Sequence, residues 1–413
     1  MKVWKVSSTQ PSDESLREAA NALRQGNLVA FPTETVYGLG ANALNENAVR
    51  RIFSAKGRPA DNPLIVHIAD LSALPQVTAN PDDLPEPVHR AMEAFWPGPL
   101  TIILPVHPQL APSVHPSMST VGVRMPNHPV AQKLLRLADC PVAAPSANKS
   151  GKPSPTTAGD VLEDLSTELL NGDGVVDGGS CDVGVESTVI AFEGDKVVIY
   201  RPGGVSKEQL EDALGIPVVL DPHIEQSYTH TTPAASKAGS AKLPASKGGS
   251  AESAGSSGQS MAGSAESAGS SAQSKAGQAE SEEFVPRSPG MKYRHYAPNA
   301  QVRVWWGDAR RVKERMQDFA AKHADEQLAV ITRHPWLDCP ENVLCWAALG
   351  PSASEPTTSA YARILSRELY RLLREFDRHH AAHILIEGVP PTGLGLAVMN
   401  RLTKASEGRV QQV

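Results

Sequence analysis

The sequence predicts an α/β protein built as a mixed-sheet N-terminal domain, a flexible linker and a small Rossmann-like parallel-sheet C-terminal domain. Three observations predict it. Before residue 222, short apolar runs rich in β-branched residues alternate with stripes of helical period. From Thr229 to Glu283 the chain is almost entirely Ser, Ala, Gly, Lys, Gln and Glu. After residue 298, apolar runs and helical patterns alternate again, the spacing expected of parallel strands with crossover helices. The 413 residues also exceed the roughly 250–300 at which one hydrophobic core stops growing.

In the first part, strands are predicted at Leu28–Phe31, Leu64–Ile68, Leu100–Val106, Thr120–Arg124, Val142–Ala144, Thr188–Phe192 and Val197–Tyr200. Helices fit at Glu14–Arg24, Asn47–Ala55, Pro87–Phe95, Val130–Ala138 and Ala158–Leu165, the first ending at Gly26, which suits a left-handed cap. Residues 223–287 form the linker; AESAGSSGQS from Ala251 and AESAGSSAQS from Ala265 repeat within it. It has too few large apolar side chains to offset an ordering cost of roughly 1–2 kcal/mol per residue. A Gly/Ser-like coil of about 50 residues spans ~40 Å on average, so its length alone does not pin the domains together. The last part predicts strands at Val302–Trp305, Leu328–Thr332, Val343–Ala347 and His383–Glu387, and helices at Ala309–His323 and Thr358–His379. Gly393-Leu394-Gly395-Leu396-Ala397 opens a final helix; its spacing is not that of a dinucleotide fingerprint and reads as helix-entry packing.

Composition narrows the function classes. Hydrophobic residues at 40% and charged residues at 20% are ordinary for a globular chain. No run approaches the roughly 18–20 apolar residues that cross a bilayer, and Met1-Lys2-Val3-Trp4-Lys5 lacks a signal-peptide apolar region, so a cytoplasmic protein without membrane attachment is expected. Cys140, Cys181, Cys339 and Cys345 form no C-x-x-C pair and read as reduced, structural thiols. Residues 1–222 carry 17 basic and 26 acidic side chains. No region is basic enough for tight, sequence-independent nucleic-acid binding, and only weak RNA binding stays open.

Against that acidic background, cations recur at strand ends. Pro32-Thr33-Glu34-Thr35-Val36-Tyr37-Gly38-Leu39-Gly40 is a polar loop leaving a strand, where open α/β sheets bind ligands. In Lys56-Gly57-Arg58-Pro59-Ala60-Asp61-Asn62-Pro63, Gly and Pro keep the loop extended, and its cations suit phosphate unless they merely pair with Asp61. His67 alternates within an apolar strand, as a core histidine also would. Thr120 and Arg124 share a strand, Pro145-Ser146-Ala147-Asn148-Lys149-Ser150-Gly151 and Ser154 follow another, and Glu186-Ser187-Thr188 and Tyr200-Arg201-Pro202-Gly203-Gly204 flank two more. Arginine offers a planar donor fork, and Ser or Asn small directional bonds, for a carboxylate or phosphate. No P-loop, serine-nucleophile elbow or zinc-ligand spacing is present. The residues alone thus imply an anion-binding α/β enzyme or an RNA-binding module.

These segments, in this order, resemble the YrdC-like family of threonylcarbamoyl-AMP synthases in its long form, over residues 10–215 and again from Ser288 onward. The resemblance implies a twisted mixed sheet around a deep cationic cavity. It implies formation of threonylcarbamoyl-AMP and pyrophosphate from L-threonine, bicarbonate and ATP with Mg2+, for N6-threonylcarbamoylation of tRNA by a downstream transferase. Carried over by position, Lys56, Arg58, Ser146 and Asn148 form a tetrad that holds the triphosphate. Thr35, His67, Arg124, Ser187 and the Ala144 backbone grip threonine, while Asn62, Thr120, Ser154 and Arg201, with Arg58 and Ser146, contact ATP. Residues 288–298 resemble the interdomain segment that reaches over the cavity, with His295 and Tyr296 as further ATP contacts ahead of a domain at 299–413. No tightly bound metal or organic cofactor is implied. Two other classes remain in view: a non-catalytic RNA-binding module, and a carbamoyl-transferring hydrogenase-maturation enzyme, whose zinc-finger cysteines have no counterpart in this chain.

Overall fold

Eleven strands in the N-terminal half share one mixed sheet. The computed structural model describes residues 1–229, 296–336, 338–348 and 357–413. In chain order the strands are β1 (Lys2–Lys5), β2 (Val29–Phe31), β3 (Gly38–Asn42), β4 (Ile65–His67), β5 (Leu100–Pro105), β6 (Thr120–Arg124), β7 (Val142–Ala143), β8 (Gly174–Asp177), β9 (Thr188–Glu193), β10 (Lys196–Arg201) and β11 (Val218–Leu220). Their spatial order is β1-β8-β2-β3-β7-β4-β6-β5-β9-β10-β11. Every strand predicted in this half is present. β1, β3, β8 and β11 are additional.

Helices α1 (Asp13–Arg24), α2 (Glu46–Lys56), α3 (Glu86–Phe95), α4 (Pro129–Ala138), α5 (Ala158–Leu165) and α6 (Lys207–Leu214) cover both faces. The Leu16, Ala20 and Leu23 stripe of α1 packs with Val130 and Leu134 of α4 over Val29, Phe31 and Val176. On the other face α2, α3, α5 and α6 bury Ile52, Met92, Val161 and Leu210 against Leu39, Val66, Ile102 and Ile199. The ends follow local chemistry. Ser12 caps α1 by accepting from the Ser15 amide, and Gly26 beyond its C-terminus has φ +85°, as its sequence position predicts. α2 starts at the cap Asn45, ends with Lys56 in its last turn and stops at Gly57 in the left-handed region, which turns the chain at Arg58 out of the helix.

The C-terminal sheet is all parallel, in the order β14-β13-β15-β12-β16, from β12 (Gln301–Trp306), β13 (Leu328–Thr332), β14 (Val343–Ala347), β15 (His383–Glu387) and β16 (Val410–Gln412). α8 (Ala309–Lys322) covers one face, and α9 (Thr358–Arg378) and α10 (Leu394–Ala405) cover the other. A Cβ on Gly395 would lie 2.2 Å from the Pro390 carbonyl oxygen, so the Gly-Leu-Gly run is there for close helix entry.

Two expectations need correction. Residues 222–229, mostly assigned to the linker, begin as helix α7 (Pro222–Thr229); Asp221 nucleates it by accepting from the His223 amide at 3.0 Å. Cys339 and Cys345 are joined by a disulfide. The turn from Pro340 to Val343 doubles the chain back and brings them together, a pairing that six-residue spacing does not advertise. The linker from residue 230 onward lies outside the described residues, as do 288–295 of the interdomain segment.

The two sheets share one compact unit. Arg374 on α9 makes a two-pronged pair with Asp164 of α5, at 2.7 and 3.2 Å, and Arg378 reaches Asp160 at 2.8 Å. Val36, at the tip of the loop after β2, packs into the apolar cluster of the C-terminal sheet. The domains are therefore held by contacts their sequences carry, whatever the intervening length.

Candidate active site

Strand register assembles the site. β4 pairs with β6 so that His67 lies beside Arg124; β5 places Thr101 opposite Arg124 and runs alongside β9, with Leu100 beside Thr188. Arg201 closes β10 opposite Val189. His67, Arg124, Thr101, Ser187 and Arg201 therefore occupy one band across the sheet. A recessed cavity forms over it, bounded by the loop after β2, the turn after β7 and Tyr296.

Most of the sequence-predicted site residues line this one cavity: Thr35, Arg58, His67, Arg124, Ala144, Ser146, Asn148, Ser154, Ser187, Arg201 and Tyr296. Thr120 does not. It stands at the opposite end of β6 from Arg124 and lines a separate, smaller cavity with Leu64 and Val114. Asn62 is buried just behind the wall; its carbonyl accepts from Arg58 Nε at 3.2 Å, while its side-chain Oδ1 has no partner among the described residues. Lys56 also stands behind the wall, its ammonium donating to the Ser146 carbonyl at 2.6 Å and to that of Asn148. Burial, with Arg58 nearby, lowers its pKa well below the usual lysine value. His295 lies outside the described residues.

The cationic side chains are fixed by neutral oxygens as much as by acids. Arg58 Nη2 donates to the Pro63 carbonyl at 2.8 Å. Arg124 donates to Thr35 Oγ1 at 2.9 Å and pairs with Glu34 at 2.7 Å. Arg201 donates to the carbonyl and the hydroxyl of Ser187 at 3.0 and 2.9 Å, and Ser187 Oγ meets Thr101 Oγ1 at 2.8 Å. Ser146 Oγ donates to Asn148 Oδ1 at 2.6 Å, and Asn148 Nδ2 donates to the carbonyls of Lys149 and Lys152, which rigidifies the turn. His67 is pushed down to a pKa of about 3 by burial and then by Arg124, so its ring is neutral. Its Nδ1 faces no partner among the described residues. Buried, preoriented donors of this kind are worth far more to a developing negative charge than the same groups in water.

Sequence reasoning missed the carboxylates that hold the frame and the C-terminal residues that hold them. Glu186 accepts from Ser154 Oγ at 2.6 Å, from Tyr370 at 3.0 Å and from Arg401 Nε at 2.8 Å. Burial raises its pKa, but Arg401, Arg201 and Ser154 outweigh that and hold it at about 2. Tyr370 stacks on Tyr296, ring centroids 5.4 Å apart. One signal was available: Arg401 follows the apolar run Leu396–Met399 of its helix and shares that face, and a charge buried there must have a partner.

A doubly covered α/β sheet with convergent arginines and hydroxyls in a recessed cavity defines an enzyme that binds small anionic substrates. The comparisons with known proteins narrow this. A family model described as "Telomere recombination" (Sua5/YciO/YrdC) matches residues 21–203, and one described as "Threonylcarbamoyl-AMP synthase, C-terminal domain" matches residues 256–407. A relative in Bacillus subtilis (strain 168) named threonylcarbamoyl-AMP synthase is 39% identical over 413 residues, covering 99% of each chain. One of the same name in Pyrococcus abyssi (strain GE5 / Orsay) is 40% identical over 400 residues, covering 96% of each. The solved structure of P. abyssi Sua5 complexed with L-threonine superposes with a TM-score of 0.76 at 37% identity, covering 100% of both chains. The chain belongs to the threonylcarbamoyl-AMP synthase family.

Proposed function

We propose that this chain condenses L-threonine, bicarbonate and ATP into threonylcarbamoyl-AMP and pyrophosphate, supplying the activated carbamoyl group for N6-threonylcarbamoylation of tRNA by a downstream transferase. The observation that carries the reading is the convergence of Arg58, Arg124 and Arg201 on one cavity beside the hydroxyls of Thr35, Ser146 and Ser187.

The geometry supports the following division of labour. Arg124, with Thr35 and Ser187 beside it, suits the carboxylate of threonine; neutral His67 offers a lone pair to its ammonium group, and the Ala144 backbone borders the same end. Arg58 with Ser146 and Asn148 suits the triphosphate, and Arg201, Ser154 and Tyr296 the remainder of the nucleotide, with Asn62 behind the wall at Arg58 and His295 adjoining Tyr296 in sequence. Lys56 acts by shaping the Ser146–Asn148 turn, to whose carbonyls it donates. Thr120 faces another cavity and is given no role.

The chemistry asks little covalent help from protein. The threonine amine adds to the carbon of bicarbonate or CO2 to form a carbamate, with water lost in the bicarbonate case. A carbamate oxygen then attacks the α-phosphorus of ATP, forming a P–O bond as the bond to pyrophosphate breaks. Holding two anions in line, while neutralising the charge that grows on the leaving group, is the catalytic task. Arg58 and Arg201 would carry it. Mg2+ fits as an ion brought in on the nucleotide, where it would neutralise phosphate charge. Glu186, which lines the cavity, and Glu34, which adjoins Arg124 beside it, are engaged by arginines and form no cage of their own.

The test is pyrophosphate release from the purified chain with ATP and Mg2+, omitting threonine or bicarbonate in turn. Release requiring both is expected, falling roughly 100-fold or more in Arg58→Ala. Release independent of threonine, or full activity in a folded Arg58→Ala variant, would overturn the reading.

A further inference from the structure

His323, Glu326 and His383 meet at the N-terminal edge of the five-stranded sheet, outside the cavity described above. Their ligating atoms all lie within 4.8 Å of one another. The fold brings them together in a defined way. β13 pairs with β15 so that Leu328 lies beside His383, and the Ala382 amide donates to the Gln327 carbonyl at 2.7 Å. Glu326, just upstream, thus arrives at the start of β15 with Oε2 3.2 Å from His383 Nε2. His323 ends α8, and the Glu326 amide donates to its carbonyl at 3.1 Å.

The His323 ring is oriented before any ligand arrives. It stacks on Phe319 with centroids 3.9 Å apart and planes 11° from parallel, and Nδ1 lies 2.8 Å from the Phe319 carbonyl oxygen. A proton on Nδ1 satisfies that contact and leaves Nε2 as the lone-pair nitrogen, which is how metal-ligating histidines are commonly fixed. Tetrahedral zinc with bonds of roughly 2.0–2.1 Å has ligand–ligand edges of about 3.3 Å. The His383–Glu326 edge already has that length. His323 and Glu326 are only half-buried, and small side-chain rotations there close the remaining gap.

We propose that His323 Nε2, the Glu326 carboxylate and His383 Nε2 bind a divalent transition-metal ion of the zinc class, with water as fourth ligand. Two imidazoles and a carboxylate favour zinc, nickel or copper over magnesium or calcium. The ion ties the α8–β13 connection to the start of β15. Arg303, whose guanidinium lies 4.8 Å from the centre of the Phe319 ring, opposes the charge, and His383 Nδ1 has no partner among the described residues. Both keep the affinity below that of a closed structural site. In the metal-free protein, Glu326 and His383 pair with each other.

The experiment uses the full chain, treated with chelator and free of nucleotide. Co2+ is titrated and followed by visible absorption, and Zn2+ by calorimetry. One equivalent of Co2+ with a tetrahedral spectrum, displaced by Zn2+, is expected. His323→Gln and His383→Gln are expected to bind roughly tenfold more weakly or worse. Glu326→Gln, at a more exposed position, serves if either histidine variant fails to fold. No stoichiometric binding by the parent chain, or equally tight binding in the folded variants, overturns the site.

Discussion

At the scale of single residues, the site was legible because its cations break local rules. Arg58, Arg124 and Arg201 each sit where a helix or strand gives way to Gly or Pro, and no helical neighbour three or four residues away can absorb them. His67 was the ambiguous one, since core and site histidines share a pattern. It proves to be both buried and cavity-lining, and this has a measurable consequence. Its folded pKa of about 3 lies below the ordinary value of 6.5, so between those values the unfolded chain binds the extra proton. Stability from this group is fully present above pH 6.5 and is lost as pH falls toward 3, at about 1.4 kcal/mol per pH unit. Wild-type protein is therefore expected to lose about 2 kcal/mol more than His67→Gln between pH 7 and pH 5. Urea midpoints at the two pH values read the difference directly. Equal losses in the two proteins would mean that His67 is solvated in the native state.

At the scale of elements, periodicity found most strands of the N-terminal half but missed β1, β8 and β11, whose apolar runs are only two or three residues long, and β3, whose identity depends on its neighbours. Gly38–Asn42 reads as loop because two of its five residues are glycine, yet it is β3. A Cβ on Gly40 would lie 2.8 Å from Phe31 and 2.9 Å from Val142, so the glycine is what lets the flanking strands close up. Tertiary packing overrides propensity there, and a single sequence carries no sign of it. Gly203 is the stricter case. It follows β10, and a Cβ would fall 2.3 Å from the Glu186 oxygen, the Ser187 carbon and the Thr188 nitrogen, all backbone atoms with no rotamer to give. Gly203→Ala must push the end of β10, with Arg201, away from the segment that carries Ser187. It is expected to cost more than about 3 kcal/mol, and to raise KM for threonine and ATP if the protein survives. Near-parental thermal unfolding would show that the two segments are not in contact.

At the scale of the whole molecule, the least legible feature is the joint between the domains, because its partners are 184 and 215 residues apart in sequence. Glu186 is nonetheless where the C-terminal domain enters the active site: one residue along, Ser187 is held by Arg201, while the Glu186 carboxylate is held by Tyr370 and Arg401. A buried carboxylate stripped of its guanidinium is costlier than the intact pair is favourable. Arg401→Met alone is therefore expected to destabilise by about 3–5 kcal/mol. Glu186→Gln removes the charge that Arg401 compensates, so the double variant should recover part of the loss, with a coupling of about 1–3 kcal/mol. The same cycle read in kinetics separates a structural strap from a functional one. If the joint sets the geometry of Ser187 and Arg201, KM for ATP and threonine changes with the same non-additivity as stability. Additive effects on stability would mean that the Glu186–Arg401 pair does not couple the domains. Coupling in stability with unchanged kinetics would confine the C-terminal domain to holding the fold together.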